Sequence, residues 1–279
     1  MKYPQKHLKN LLLASISTSM ATLLTACGNY EATNNDLLAA CQIVNEPFAY
    51  SICQADSAKL LDENSKLDLQ LFWRAGGDNT NQNAQPLFTF EAAQNSLAKN
   101  ATLQFATNAG MYNDAFAPIG YTVINGQQVL SLNLNEGGGN FHLLPNGVFW
   151  WDETGYYVTE SQTMATKLKN GTKPLYATQS GPMLVINGKI HPKFKPDSTS
   201  KKIRNGVGIC EHEGKQTIKF VTSASVVNFY EFAHLFKNEL NCKNALFFDG
   251  GIASALYAPT INRHDKKNMG VMVGLVETQ

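Results

Sequence analysis

The chain carries no excess of charge of either sign. Its 23 lysines and arginines face 22 aspartates and glutamates, a formal net charge of +1. No basic patch with interleaved aromatics occurs, so the electrostatic footprint of a nucleic-acid surface is missing. There is also no apolar run of about 20 residues, the length an ordinary membrane-spanning helix needs. The apolar stretch over residues 11–25 is shorter and broken by Ser and Thr. No Cys-x-x-Cys pair occurs, which argues against a zinc site. Three glycines at 137–139 suggest a phosphate loop, but no Gly-Lys-Ser/Thr follows, and a nucleotide P-loop is excluded. No internal repeat is seen.

What is present begins with an export signature. Lys2, Lys6 and Lys9 form a basic segment ahead of the apolar stretch, the order of a signal peptide. That stretch runs into Leu24-Thr25-Ala26-Cys27, small residues before a cysteine as in a bacterial lipobox. The expected organisation is a lipoprotein signal peptide over 1–26, an acylated Cys27, a polar tether over 27–40 and one folded domain over 41–279. Acyl chains buried at about 0.8 kcal/mol per CH₂ would hold such a domain on a bilayer. It would lie in the bacterial cell envelope, facing the periplasm or the exterior. An ordinary signal peptide with an incidental cysteine is the alternative. Four further cysteines remain: Cys41, Cys53, Cys210 and Cys242. An even number in an oxidising compartment suggests disulfides, and four cysteines allow three pairings. Cys41–Cys53 and Cys210–Cys242 are favoured, because Cys210 and Cys242 border strands expected to lie close together.

The hydrophobic share of 43% can fill a sizeable core. The patterning predicts many strands and few helices: an α+β single domain with a largely antiparallel mixed sheet. Strands are expected over 50–53, 67–73, 103–108, 207–210, 216–222, 244–248 and 270–276. Asn125-Gly126 and Asn187-Gly188 supply the positive φ of tight hairpin turns. A further turn between strands is expected within 143–151, around Pro145-Asn146-Gly147. Helical spacing marks 90–99 and, most clearly, 225–240, where Phe229, Phe232, Ala233, Phe236 and Leu240 share a stripe. Ser225 or Asn228 is its candidate N-cap.

Polar groups recur where a structural chain would not need them. Phe248-Asp249-Gly250-Gly251 delivers a carboxylate from a buried strand straight into two glycines. Glycine lets the backbone turn sharply and a ligand come close. A turn that merely uses Asp and Gly is the plain alternative. Asn108, Gly110, Tyr112 and Asp114 form a second cluster; Glu136, the three glycines and His142 a third; Gln179 and Ser180 a fourth; Arg204 and Asn205 a fifth. The planar fork of Arg204 suits a phosphate or carboxylate.

Read together, five strings resemble the bacterial branch of the phosphodiester glycosidase family, which is related to the uncovering enzyme N-acetylglucosamine-1-phosphodiester α-N-acetylglucosaminidase. They are Asn108-Ala109-Gly110-Met111-Tyr112, the run from Gly139-Asn140 to Asn146-Gly147, Gln179-Ser180-Gly181-Pro182-Met183-Leu184, the run from Ile203-Arg204 to Val207-Gly208, and Asp249-Gly250-Gly251. Ile252 and Ala253 stand between those glycines and Ser254. The resemblance spans about 72–276. It implies a glycoside hydrolase acting on a sugar-1-phosphodiester bond of an envelope or extracellular glycan. Asp249 would be general base or electrostatic stabiliser and Asn108 would orient substrate, with Glu136, His142 and Asp114 as further acid/base candidates. Arg204, Asn205, Gly110, Tyr112, Asp114, Gln179, Ser180, Gly250, Gly251 and Ser254 would bind the substrate or its phosphate. No cofactor is expected; Asp249, Asp114 and Glu136 are the oxygen ligands that would suit Ca²⁺ or Mg²⁺. A non-catalytic lipoprotein that binds glycan phosphate, or supports exopolysaccharide assembly, is the rival. Trp73, Trp150, Trp151 and Tyr112 would then stack on sugar faces.

Overall fold

The strand Leu67–Phe72 shows how local patterning places the core: Leu67, Leu69 and Leu71 are buried while Asp68 and Gln70 face outward. Successive side chains on a strand point to opposite faces, so a period of two selects one apolar side. The computed structural model describes residues 39–75 and 84–279. The expected signal peptide, Cys27 and most of the tether lie outside the described residues. The first strand begins at Ala39, inside the stretch expected to be tether.

All strand pairings among the described residues are antiparallel, in three sheets. Sheet I orders Ala39–Val44, Tyr50–Asp56, Lys215–Ser223, Asn205–His212, Cys242–Phe247, Met183–Ile186 and Lys189–Ile190. Sheet II orders Arg263–His264, Leu256–Ala258, Ala101–Asn108, Met272–Thr278 and Leu67–Phe72. Sheet III orders Gln127–Leu130, Thr122–Ile124, Tyr176–Ser180, Gly147–Asp152 and Gly155–Glu160. The sheets meet around Phe220. Its ring lies 5.4 Å from Phe105 of sheet II and 5.8 Å from Phe149 of sheet III, and Phe149 also touches Phe248. These rings are almost fully buried and form one continuous core with Leu69, Leu71, Val273 and Leu275. The result is a single α+β domain with few helices; no helix among the described residues is long and apolar enough to cross a membrane.

Both Asn-Gly turns form as expected, with φ of 51° and 74° at Asn125 and Gly126 and 47° and 75° at Asn187 and Gly188. The clearest helix starts later than its stripe suggests. It covers Phe229–His234 and continues as a π-turn over Leu235–Glu239. Asn228, not Ser225, caps it: its side chain accepts from the Glu231 N–H while Glu231 accepts from the Asn228 N–H, a reciprocal capping box. The helix at 90–99 is trimmed to Phe90–Ser96, capped by Thr89. In the stretch 143–151 only Gly147–Asp152 is a strand, and the residues before it run as turns. The helix Ser161–Lys169 and the strands Gly155–Glu160 and Tyr176–Ser180 were not evident from sequence.

Both favoured disulfides are formed. Each joins directly opposed residues on neighbouring strands of sheet I. Cross-linking removes conformational freedom from the unfolded chain, more for the longer loop. The sequence separations are 12 and 32 residues. Replacing Cys41 and Cys53 together by Ala is therefore expected to cost about 3 kcal/mol of unfolding free energy, and Cys210 with Cys242 about 4 kcal/mol. Parent-like stability of either doubly substituted protein in urea titrations, or a larger loss for the Cys41–Cys53 pair than for Cys210–Cys242, would refute this.

Candidate active site

The site is built where strand ends from all three sheets run together. Asn108 closes the strand Ala101–Asn108 and is fully buried. An amide buried there must spend both its donor and its acceptor. Its Nδ2 donates to the carbonyl of Asp249. Its Oδ1 accepts from Asn205 Nδ2 at 2.9 Å and from the Ala255 N–H at 3.0 Å. Asn205 opens the strand Asn205–His212 and donates also to the Asn108 carbonyl and Thr107 Oγ1. Ser254 completes the cluster by donating to Asn205 Oδ1 and to the Ile203 carbonyl, both at 3.4 Å. Strings that are far apart in sequence are thus tied by side-chain hydrogen bonds.

Asp249 sits at the rim of this junction. The strand Cys242–Phe247 ends just before it. Its N–H donates to the Ala109 carbonyl, and the preceding Phe248 N–H donates to the Asn205 carbonyl. Gly251 adopts φ of 71°, a left-handed conformation that glycine takes without steric cost, and its N–H donates to the Ile203 carbonyl. The turn therefore aims one half-buried carboxyl outward from a fixed backbone. Burial raises the Asp249 carboxyl to about 6, although the Gly250 N–H that bonds it pulls the other way. Tyr112 lies close enough to feel that charge: its phenol is pushed up to about 12, by burial first and then by Asp249.

A second polar knot braces the first. Gln179 is buried in the strand Tyr176–Ser180. Its Oε1 accepts from the Tyr121 and Asn133 N–H groups, and its Nε2 donates to the Asn133 carbonyl and Ser161 Oγ. Gly110 joins the two knots: its N–H donates to Thr178 Oγ1. A Cβ at position 110 would lie 2.3 Å from that oxygen and 2.5 Å from the Gln179 carbonyl oxygen, so glycine alone allows the approach. Gln179 and Asn108 are spent on the protein's own chain; they position the site. Ser180 is fully buried, and its hydroxyl has no hydrogen-bond partner among the described residues.

Other expected residues fall elsewhere. Arg204 is 2% exposed. Its Nε donates to the Val227 carbonyl and its Nη2 to the Ser200 carbonyl, and its guanidinium lies 3.6 Å over the Phe229 ring. Burial lowers it to about 10, with Glu231 opposing that shift, so it stays charged at neutral pH. This cation clamps the 200–204 segment to the helix start instead of lining an open anion site. Asp114 and Glu136 are exposed on loops, and His142 is partly so. His142 Nδ1 donates to the Asn135 carbonyl at 2.8 Å. Among the described residues, none of these three hydrogen-bonds Asp249, and no group of three or more His, Cys, Asp or Glu is placed to hold a metal ion. Trp73, Trp150 and Trp151 are 5%, 3% and 2% exposed; they are core and present no face to a sugar. Phe116, which no sequence signal singled out, stacks on Tyr112, and Phe88 stands against Phe116.

Residues 101–276 match the phosphodiester glycosidase family. The Escherichia coli protein YigE is 36% identical over 188 residues, covering 66% of this chain and 68% of its own length. The structure resembles the catalytic domain of zebrafish N-acetylglucosamine-1-phosphodiester α-N-acetylglucosaminidase, with a TM-score of 0.56 at 14% identity, over 87% of this chain and 84% of that one. At that identity the likeness concerns the fold.

The raised Asp249 carboxyl has a consequence for stability. The folded state keeps its proton up to about pH 6, against an ordinary value of 3.8. Between those values the folded chain binds more protons than the unfolded chain, so stability is full below the window and falls as pH rises through it. Asp249→Asn removes this penalty. The variant is expected to be more stable than the parent by about 2 kcal/mol at pH 7.5, with the gap closing near pH 4. Melting curves at the two pH values check this; a variant no more stable at pH 7.5 than at pH 4, relative to the parent, contradicts it.

Proposed function

Since the chain belongs to the phosphodiester glycosidase family, we propose that it hydrolyses the bond between the anomeric carbon of a sugar and a phosphodiester of an envelope or extracellular glycan, with Asp249 as the general base. The reading is carried by one observation: a half-buried carboxyl, raised to about 6 by burial, on a backbone fixed from three directions. A base of that strength is ionised at neutral pH yet basic enough to help, the compromise general-base catalysis requires. Asp249 takes a proton from water as the water oxygen bonds to the anomeric carbon. The carbon–oxygen bond to phosphate breaks, and the phosphate leaves as a stable monoester. Because that leaving group needs little protonation, a second carboxyl acid is dispensable. As positive charge develops on the sugar ring, the same carboxylate stabilises it. Asn108 and Asn205 hold the Asp249 backbone in place; Arg204 acts at one remove, by fixing Ile203 and Asn205 beside the Gly250-Gly251 turn.

The two disulfides favour an oxidising compartment, which fits the envelope, with anchoring through an acylated Cys27.

The purified domain should release free sugar from an α-linked N-acetylglucosamine-1-phosphodiester. Asp249→Asn should lower kcat by about 10²–10⁴, the usual worth of a general base, while substrate affinity is kept. The acid limb of the parent's kcat profile should fall near pH 6. Equal turnover by parent and variant removes Asp249 from the role; binding without turnover in both leaves a binding protein. In cells, Cys27→Ala should move the protein from the membrane pellet to the soluble fraction, and an unchanged distribution rejects the anchor.

A further inference from the structure

Two phenylalanines carry backbone conformations that phenylalanine avoids. Phe88 has φ of 63° and Phe116 has φ of 59°. A Cβ makes this left-handed region costly, and for a bulky residue it is a genuine outlier. At Phe88 the Thr89 N–H donates to the Leu87 carbonyl at 2.7 Å. A hydrogen bond over two residues with positive φ at the centre is a γ-turn of the rare, strained kind. At Phe116 the loop is closed by Asn113, whose Oδ1 accepts from the Ala115 and Ala117 N–H groups.

The two rings meet. Phe88 stands edge-on to Phe116 at 5.1 Å, and Phe116 stacks on Tyr112 at 5.4 Å with 19° between planes. All three side chains are partly exposed. Their backbones are tied down from below. Trp73 Nε1 donates to the Phe116 carbonyl, the Met269 N–H donates to the Phe88 carbonyl, and Leu87 donates to the Trp73 carbonyl. Tyr112 lies on Gly270, where any Cβ would come within 2.8 Å of its ring. Strain maintained by so many tethers points to use, since strained residues persist where the surroundings over-determine them and function gains from the geometry. The row starts at the acid: Asp249 bonds Ala109, three residues before Tyr112, and the two share an electrostatic field.

We propose that Tyr112, Phe116 and Phe88 form a stacking platform for a pyranose ring of the substrate, next to the bond whose hydrolysis Asp249 assists. A pyranose presents a face of C–H bonds that packs flat on an aromatic ring, which a buried core aromatic cannot offer. This placement rests on the hydrolase reading for its substrate class, and the test separates the two.

The probes are methyl α-N-acetylglucosaminide and the α-linked N-acetylglucosamine-1-phosphodiester, with binding followed by calorimetry and by saturation-transfer NMR on Asp249→Asn protein. Phe116→Leu and Phe88→Leu keep apolar bulk but remove the π face; Phe116→Tyr restores it. Each Leu variant is expected to weaken binding about ten-fold, the scale of one aromatic contact. It should raise KM more than it lowers kcat, and the Tyr variant should return to parent values. Sugar C–H resonances should show saturation from aromatic protons in the parent and lose it in Phe116→Leu. Turnover with unchanged KM and binding in both Leu variants overturns the platform and leaves the hydrolase standing. Platform-dependent sugar binding without turnover overturns the hydrolase and leaves the platform. A parent protein that binds neither probe overturns the platform outright. A Phe116→Tyr variant that fails to recover while melting like the parent does so too.

Discussion

One carboxamide organises this molecule's candidate site. Asn108 is sealed from solvent, and its two polar side-chain atoms reach three segments: Nδ2 the Asp249 carbonyl, and Oδ1 the Asn205 amide and the Ala255 N–H. Only a side chain that both donates and accepts satisfies all three at once. An aspartate would lose the donor and bring an unpaired charge into a dry place; a leucine would abandon every partner. The cost of leaving such groups unmet, on the order of 1–3 kcal/mol each, makes the arrangement all or nothing. The turn after the strand Cys242–Phe247 is therefore tethered through its backbone to the strands around it, although it is a loop at the surface.

Rigidity there is what gives the acid its character. A carboxyl on a mobile loop would turn into water and titrate as an ordinary aspartate. Held at the rim of a buried junction, Asp249 is partly desolvated and its proton affinity rises. The same desolvation makes the folded state less stable at neutral pH. Stability given up at one residue for chemical competence is the usual relation between active sites and the scaffolds that carry them. The Gln179 knot and the three-sheet packing around Phe220 carry the load, because they fix the strands whose ends converge on Asn108.

How much of this could be read from the sequence follows from physical range. Local signals worked: Asn-Gly turns impose their own φ, and the stripe from Phe229 to Leu240 fixed a helix, though its start waited on which polar residue could reach the Glu231 N–H. The Asp-Gly-Gly turn put Asp249 just beyond the end of a buried strand, and the disulfide partners followed from strands expected to be neighbours. Signals that depend on what lies opposite were misleading. Gln179 stood out with Ser180 as a polar cluster open to a ligand, because the partners that occupy its amide are supplied by residues 121, 133 and 161. Arg204 looked like an open cation, while the carbonyls that clamp it come from Ser200 and Val227. The tryptophans suggested a sugar face and proved to be core. Phe88 and Phe116 gave no signal, since nothing in phenylalanine's own preferences announces a positive φ; tertiary contacts impose it.

The Asn108–Asn205 pair works as one unit beneath Asp249. A double-mutant cycle with Asn108→Ala, Asn205→Ala and the double variant measures this, read in unfolding free energy and in turnover of the sugar-1-phosphodiester. Strong non-additivity is expected, with a coupling of at least about 1 kcal/mol in stability and single variants nearly as inactive as the double. Additive losses in both readouts would mean that the two amides act independently and that no such unit exists.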